Sequence, residues 1–167
     1  MNYQIRPAED RDREAINRIF QHFVATSMAA YPETMYDDGV YDRLRIAGKS
    51  LPFLVAETEV GEVIAMAQAR PYHAADTIKR TAEITYFILP EHHGHGLGEK
   101  LLNRLIELVR PLGVDNLLGS ISSHNDQSLN FHRTHGFVEV GRFRKVGRKW
   151  GRDFDIIWVQ RFIGESQ

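Results

Sequence analysis

The residues with the clearest chemistry lie at 83–98, EITYFILPEHHGHGLG. Gly94, Gly96 and Gly98 recur at every second position, just ahead of an amphipathic helix. The first amides of a helix lack intrahelical acceptors, and the aligned peptide dipoles put partial positive charge there. Residues without a side chain let a ligand come close to those amides. Such a bend is a cradle for phosphate oxygens. A P-loop would need Lys followed by Ser or Thr after its last glycine, and this chain has Glu99 there. A Rossmann turn fits poorly, because the spacing is G-x-G-x-G and Pro90, Glu91, His92 and His93 separate it from the strand. A dinucleotide-binding oxidoreductase stays open as the weaker alternative. His92, His93 and His95 suggest a metal at first glance. They lack carboxylate or thiolate partners at ligand spacing, so the expectation is solvated donors and no metal. A cationic His93 or His95 would add charge to a phosphate site.

These residues need elements to hold them. Residues 83–89 are aromatic and β-branched, which suits a strand that Pro90 ends. The helix that follows carries Leu97, Leu101, Leu105 and Leu108 on one face, with Glu99, Lys100, Asn103, Arg104 and Glu107 opposite. Pro111 and Gly113 close it. Upstream, the spacing predicts a strand at 3–6, a helix at 10–24, a loop over 25–36 and a weaker helix at 37–46. Residues 53–58 and 63–70 read as a hairpin turning at Val60, Gly61 and Glu62, and 71–80 as a polar connection. Downstream come a strand at 115–121, a helix at 125–134, a strand from Gly136 to about Val140 and a last strand at 154–163. The order is β-α-α-β-β-β-α-β-α-β-β, a layered α/β domain. The basic run Arg142, Arg144, Lys145, Arg148, Lys149 and Arg152 reads as a solvated hairpin.

Composition sets the bounds. A chain of 167 residues with 43% apolar and 26% charged residues predicts one folded domain, 1–167. A net charge of −1 gives no general reason to bind nucleic acid. With no cysteine there is no disulfide, no thiolate metal site and no catalytic thiol. No signal peptide and no run of about 20 apolar residues is visible, so a cytoplasmic protein without membrane contact is expected.

The loop resembles the pyrophosphate loop of the GCN5-related N-acetyltransferase family, written Gln/Arg-x-x-Gly-x-Gly/Ala. His93-Gly94-His95-Gly96-Leu97-Gly98 matches it, with His93 in place of Gln or Arg. A second match lies at 125–137, NDQSLNFHRTHGF, where Asn125, Ser128, Phe131, His132 and Gly136-Phe137 fit the family frame. The usual tyrosine of that frame falls on His132. With Glu83 on the central strand and Lys149-Trp150-Gly151 before the last one, the chain is most similar to the phosphinothricin acetyltransferase branch. The resemblance implies a mixed, mostly antiparallel sheet of about seven strands, splayed at its middle and flanked by four helices. It implies acetyl-CoA as co-substrate, held by Phe87, Ile88, Leu89, His93, Gly94, His95, Gly96, Leu97, Gly98, Asn125 and Ser128. Asn125 also suits a helix N-cap.

Acetyl transfer to an amine needs a base, an oxyanion donor and a proton for the leaving sulfur. Glu83, directly or through a water, is the candidate base, and its bland rival is a polar strand-edge residue. A backbone N–H near Ile88 is the oxyanion candidate. His132 is the candidate acid, against simple packing or a helix-surface position. The acceptor is expected to be a small primary amine, such as an amino-acid analogue. The branch's acceptor pair Asn-Phe falls on Ala30 and Tyr31, and Arg70, Lys79 and Arg80 are the candidates for binding a carboxylate. Homodimers occur in the branch, so a homodimer is implied. The alternative within the same resemblance is a non-catalytic acetyl-CoA-binding module.

Overall fold

The computed structural model describes residues 2–35 and 37–164. The expected loop over 25–36 therefore ends on a residue outside those described. The elements are β1 (Tyr3–Pro7), α1 (Arg13–Thr26), α2 (Val40–Gly48), β2 (Phe53–Thr58), β3 (Val63–Pro71), β4 (Thr81–Ile88), α3 (Leu97–Val109), β5 (Asn116–Ser122), α4 (Asp126–Thr134), β6 (Val138–Lys149) and β7 (Arg152–Phe162). Among the described residues the strands form one seven-stranded sheet in the order β1-β2-β3-β4-β5-β7-β6. Only β4 and β5 run parallel. The expected order and mixed sheet are found. The largest difference is β6, which continues to Lys149 instead of ending near Val140. Its burial gives no alternation to read, because nearly all of it is exposed at the sheet's edge.

Two apolar layers cover the sheet. α3 lays Leu97, Leu101, Leu102, Leu105 and Val109 against Ala82, Ile84, Leu117, Ile121, Ile157 and Val159 on one face. α1 buries Ile16, Ile19, Phe23 and Val24 with Val55, Met66 and Phe87 on the other. Strand alternation thus sends Glu83 and Phe87 toward the α1 face, and Ile84, Tyr86 and Ile88 toward the α3 face. An ion-paired brace joins the N-terminal elements. Arg6 on β1 reaches Asp12 ahead of α1 at 2.7 Å and Glu57 on β2 at 2.8 Å.

The feature that matters for function is where the pairing stops. β4 and β5 pair only from Thr81 opposite Asn116 to Glu83 opposite Leu118. Beyond that point β4 runs on to Ile88 and β5 to Ser122 without bonding to each other. The sheet splays, and the expectation of an opening at its middle holds.

Candidate active site

The glycine loop leads straight into α3. Gly94 and Gly96 have φ of 78° and 72°, the left-handed region that a Cβ disfavours. Gly96 is the N-cap, and the first intrahelical bond runs from Lys100 N–H to the Gly96 carbonyl. The amides of Leu97, Gly98 and Glu99 therefore lie ahead of the helical ladder. Gly98 serves packing: a Cβ there would come within 3.1 Å of the Phe131 ring on α4. A groove of about 340 Å³ opens at this helix start. Phe87, Ile88, His93, Gly94, Gly96, Leu97, Gly98, Asn125 and Ser128 all line it. Asn125 caps α4, its side chain accepting from the Ser128 amide at 3.2 Å.

Other expected residues fall elsewhere. Leu89 packs into the core, and its N–H bonds to the Ile64 carbonyl on β3. His95 is exposed at the bend. His93 is not a solvated donor. Its Nε2 lies 2.7 Å from the Ile88 carbonyl, and Gln127 Nε2 lies 3.1 Å from its Nδ1. A carbonyl only accepts, so Nε2 carries a proton and the ring braces β4 against α4. Arg80 pairs with Asp115 at 2.5 Å and lines neither this groove nor the cavity described next.

A second cavity, about 60 Å³, lies deeper in the splay. Its walls include Tyr86, Gly119, Ser120, Ser122 and His132. Glu83 reaches it from the α1 face through Ser120, whose hydroxyl donates to Oε1 at 3.2 Å. Glu83 is only 7% exposed, so it is not a surface strand-edge residue. Arg70 on β3 holds the same carboxylate, with Nη2 at 2.8 Å from Oε1 and Nε at 3.3 Å from Oε2. Tyr31 completes the cluster by donating to Ser120 Oγ at 3.2 Å while its ring stacks on Phe154. Burial pushes the Tyr31 phenol up.

His132 approaches the same cavity from the opposite face, so it and Glu83 flank the splay from two sides. It is 4% exposed, which rules out the helix-surface position. Its Nδ1 lies 2.7 Å from the Ser128 carbonyl and therefore carries the ring proton. Its Nε2, 2.7 Å from the Tyr86 hydroxyl, accepts from it. Burial lowers the imidazole pKa, which keeps the ring neutral. The expected acid role of His132 meets a ring whose Nε2, in this arrangement, carries no proton of its own. Its free nitrogen is an acceptor already taken by Tyr86, a residue that the sequence reading passed over. Strand alternation from Ile84 was the available signal for Tyr86. Ser120 gave none.

The basic hairpin also needs correction. Lys149 is fully buried and donates to the carbonyls of Ser27 and Ala30, each at 2.7 Å. Desolvation lowers its pKa. Among the described residues no group of three or more His, Cys, Asp or Glu is arranged to hold a metal.

A splayed sheet with a helix-start anion cradle on one side and a buried carboxylate on the other defines an acyl-coenzyme A N-acyltransferase site. Residues 16–137 match the Acetyltransferase (GNAT) family, and the chain belongs to that family. It is 33% identical to the L-amino acid N-acyltransferase MnaT of Escherichia coli, over 96% of this chain and 94% of the relative. It is 32% identical to the L-methionine sulfoximine/L-methionine sulfone acetyltransferase of Salmonella typhimurium, over 96% and 95%. Among solved structures it is similar to the phosphinothricin acetyltransferase of Sinorhizobium meliloti in complex with acetyl-CoA, with a TM-score of 0.91 and 29% identity over 100% of this chain and 91% of the other. The chain is thus an acetyl-CoA-dependent N-acetyltransferase of the phosphinothricin acetyltransferase-like branch. The dinucleotide alternative is set aside.

Proposed function

We propose that this enzyme acetylates the α-amino group of an amino acid or amino-acid analogue. The relatives' named substrates support that class. The observation that carries the reading is the continuity of the opening: the groove at the start of α3 shares walls with the cavity lined by Ser120, whose hydroxyl donates to Glu83 behind it. In this reading the amides of 94–98 hold the coenzyme diphosphate, and Phe87, Ile88, Asn125 and Ser128 line the pantetheine arm. The Ile88 N–H faces the thioester oxygen. The ammonium group of a free amino acid titrates above the terminal-amine value of about 8, because its own carboxylate is ionised, so it arrives protonated and Glu83 has a proton to remove. The amine nitrogen bonds the acyl carbon, the carbon–sulfur bond breaks, and sulfur leaves with that electron pair. The thiolate takes a proton from solvent water, while the amine's proton passes to Glu83 and then to solvent.

Arg70 is the carboxylate partner. It spends Nε and Nη2 on Glu83 and keeps Nη1, on a side chain 41% exposed, without a protein partner among the described residues. An α-amino acid then spans the pair, amine toward Glu83 and carboxylate toward Arg70. Thiol release with an amino-acid panel tests this. Glu83→Gln is expected to cut kcat by about 10²-fold with acetyl-CoA affinity kept. Arg70→Met is expected to raise KM for amino acids and not for amines lacking a carboxylate. No thiol release with any amine sinks the reading.

The need for acetyl-CoA supports a cytoplasmic site of action. Arg142 and Arg148 already answer Asp155 and Asp153, which supports a hairpin that is not a nucleic-acid face. The edge strand β6 exposes Val138, Val140, Phe143 and Val146 at more than half their area, which supports a homodimer through that edge. Light scattering in solution reads the mass, and a monomer of 19.2 kDa at working concentration removes the dimer.

A further inference from the structure

The groove and the deeper cavity share Ala29, Tyr86, Phe87, Asn125 and Ser128. The outer space is about 340 Å³ and the inner one about 60 Å³. We propose that Tyr86 sets the acyl-chain limit of the enzyme, its ring closing the splay so that an acetyl group is admitted and longer chains are refused. This rests on the reading above, in which the thioester lies where the two spaces meet.

The volumes carry the first step. One water-sized group needs about 15 Å³ of such space, so the inner cavity holds roughly four. The acetyl carbon, oxygen and methyl with the attacking nitrogen already make four. A butyryl chain brings two more methylenes and has nowhere to place them.

The walls carry the second step. Gly119, Ser120, Ser122, Thr85 and Ala29 are small already. Phe87 also lines both spaces, but its ring is engaged on the α1 side by Phe20 and Phe23, with centroids at 5.5 and 5.0 Å. Tyr86 is the large side chain at the junction that faces the splay, and it is held from three directions. Its hydroxyl is 2.7 Å from His132 Nε2. Its ring lies parallel to that imidazole at 5.5 Å and meets the Phe131 ring edge-on at 5.6 Å. His132 is itself fixed by the Ser128 carbonyl. Swinging the phenol aside to admit a longer chain would strip a buried nitrogen of its donor, which costs free energy that a methylene does not return. The wall is therefore rigid, and size is read by volume.

The test is an acyl-CoA series, acetyl, propionyl, butyryl and hexanoyl, with one amine acceptor. Wild type is expected to lose about 10–100-fold in kcat/KM by butyryl. Tyr86→Phe keeps the ring but loses the hydroxyl that pins it, and is expected to relax that loss only part of the way. Tyr86→Val removes it and is expected to hold the series within about threefold. Acyl-CoA affinities by calorimetry supply the same ratio without turnover, so they separate failure of this idea from failure of the acetyltransfer reading. Coenzyme A without an acyl group should bind all three proteins alike. Wild type that handles butyryl-CoA as well as acetyl-CoA overturns the proposal, and so does a folded Tyr86→Val that still refuses it. Should Tyr86→Val fail to fold, Tyr86→Leu and the wild-type series decide the same point.

Discussion

His132 shows how burial decides what a residue can do. An exposed imidazole changes charge near pH 6.5, but this one is enclosed, neutral and already paired at both nitrogens. Protonating it would put two donors, Nε2–H and the Tyr86 hydroxyl, against each other in a desolvated space. Its folded pKa is lowered, so the unfolded chain binds the proton more readily. Stability is then complete above the unfolded value and falls as pH drops from there toward the folded one. Wild type is expected to lose more stability between pH 7.5 and 5.5 than His132→Phe does, measured by urea unfolding at both pH values. Equal losses would show that the ring titrates freely. The sequence made the glycine bend and the Asn125 cap legible, because their chemistry rests on neighbours within a few positions, whereas Glu83 stood out only through the family resemblance. Arg70 beside Glu83 and Tyr86 beside His132 were not legible as pairs. Their separations of 13 and 46 residues are closed only by strand register and helix docking.

Most elements could be read from their spacing, and what the spacing hid is how two distant ones are tied. The end of β6 reaches back to the loop after α1. Lys149 donates to Ser27 and Ala30, and Trp150, with φ of 49°, turns its N–H onto Glu33. Phe154 on β7 stacks on Tyr31 in that same loop. A lysine in a basic run reads as solvated until the fold places carbonyls around it, since nothing local announces them. The loop carries Tyr31, which bonds Ser120, which bonds Glu83. Lys149 is thereby tied to Glu83 through the loop, Tyr31 and Ser120 without touching it. Lys149→Met keeps the apolar stem and deletes both donors, stranding two carbonyls at about 1–3 kcal/mol each. A lower unfolding free energy is expected, together with a raised KM for the amine and an unchanged acetyl-CoA affinity. A merely structural role would lower stability and leave the two KM values in proportion.

The whole molecule works as two half-sheets joined along a short seam. α1 and α2 cover the strands from β1 to β4, α3 packs across both halves, and β5, β7 and β6 turn away once the seam ends at Glu83 and Leu118. One edge of β4 is then left without a neighbouring strand. Leu89 donates toward Ile64 on β3, so one position earlier Ile88 turns its N–H and carbonyl to the opposite side, into the splay. Tyr86, two further back, does the same. His93 answers the Ile88 carbonyl, and among the described residues no strand pairs with the Tyr86 and Ile88 amides on that side. An open sheet edge is costly unless something pairs with it, and a pantetheine arm carries amide groups of its own at roughly peptide spacing. Coenzyme binding should therefore complete the sheet as an added strand would. Hydrogen exchange followed at single amides is expected to show Tyr86 and Ile88 exchanging fast in the free protein, unlike Thr85 and Phe87, whose N–H groups face β3. With saturating acetyl-CoA the first two should slow by at least tenfold and the second two change little beyond the general gain in stability that any ligand of the native state confers. Protection of all four by the same factor would mean that the ligand stabilises the fold without lying along this edge.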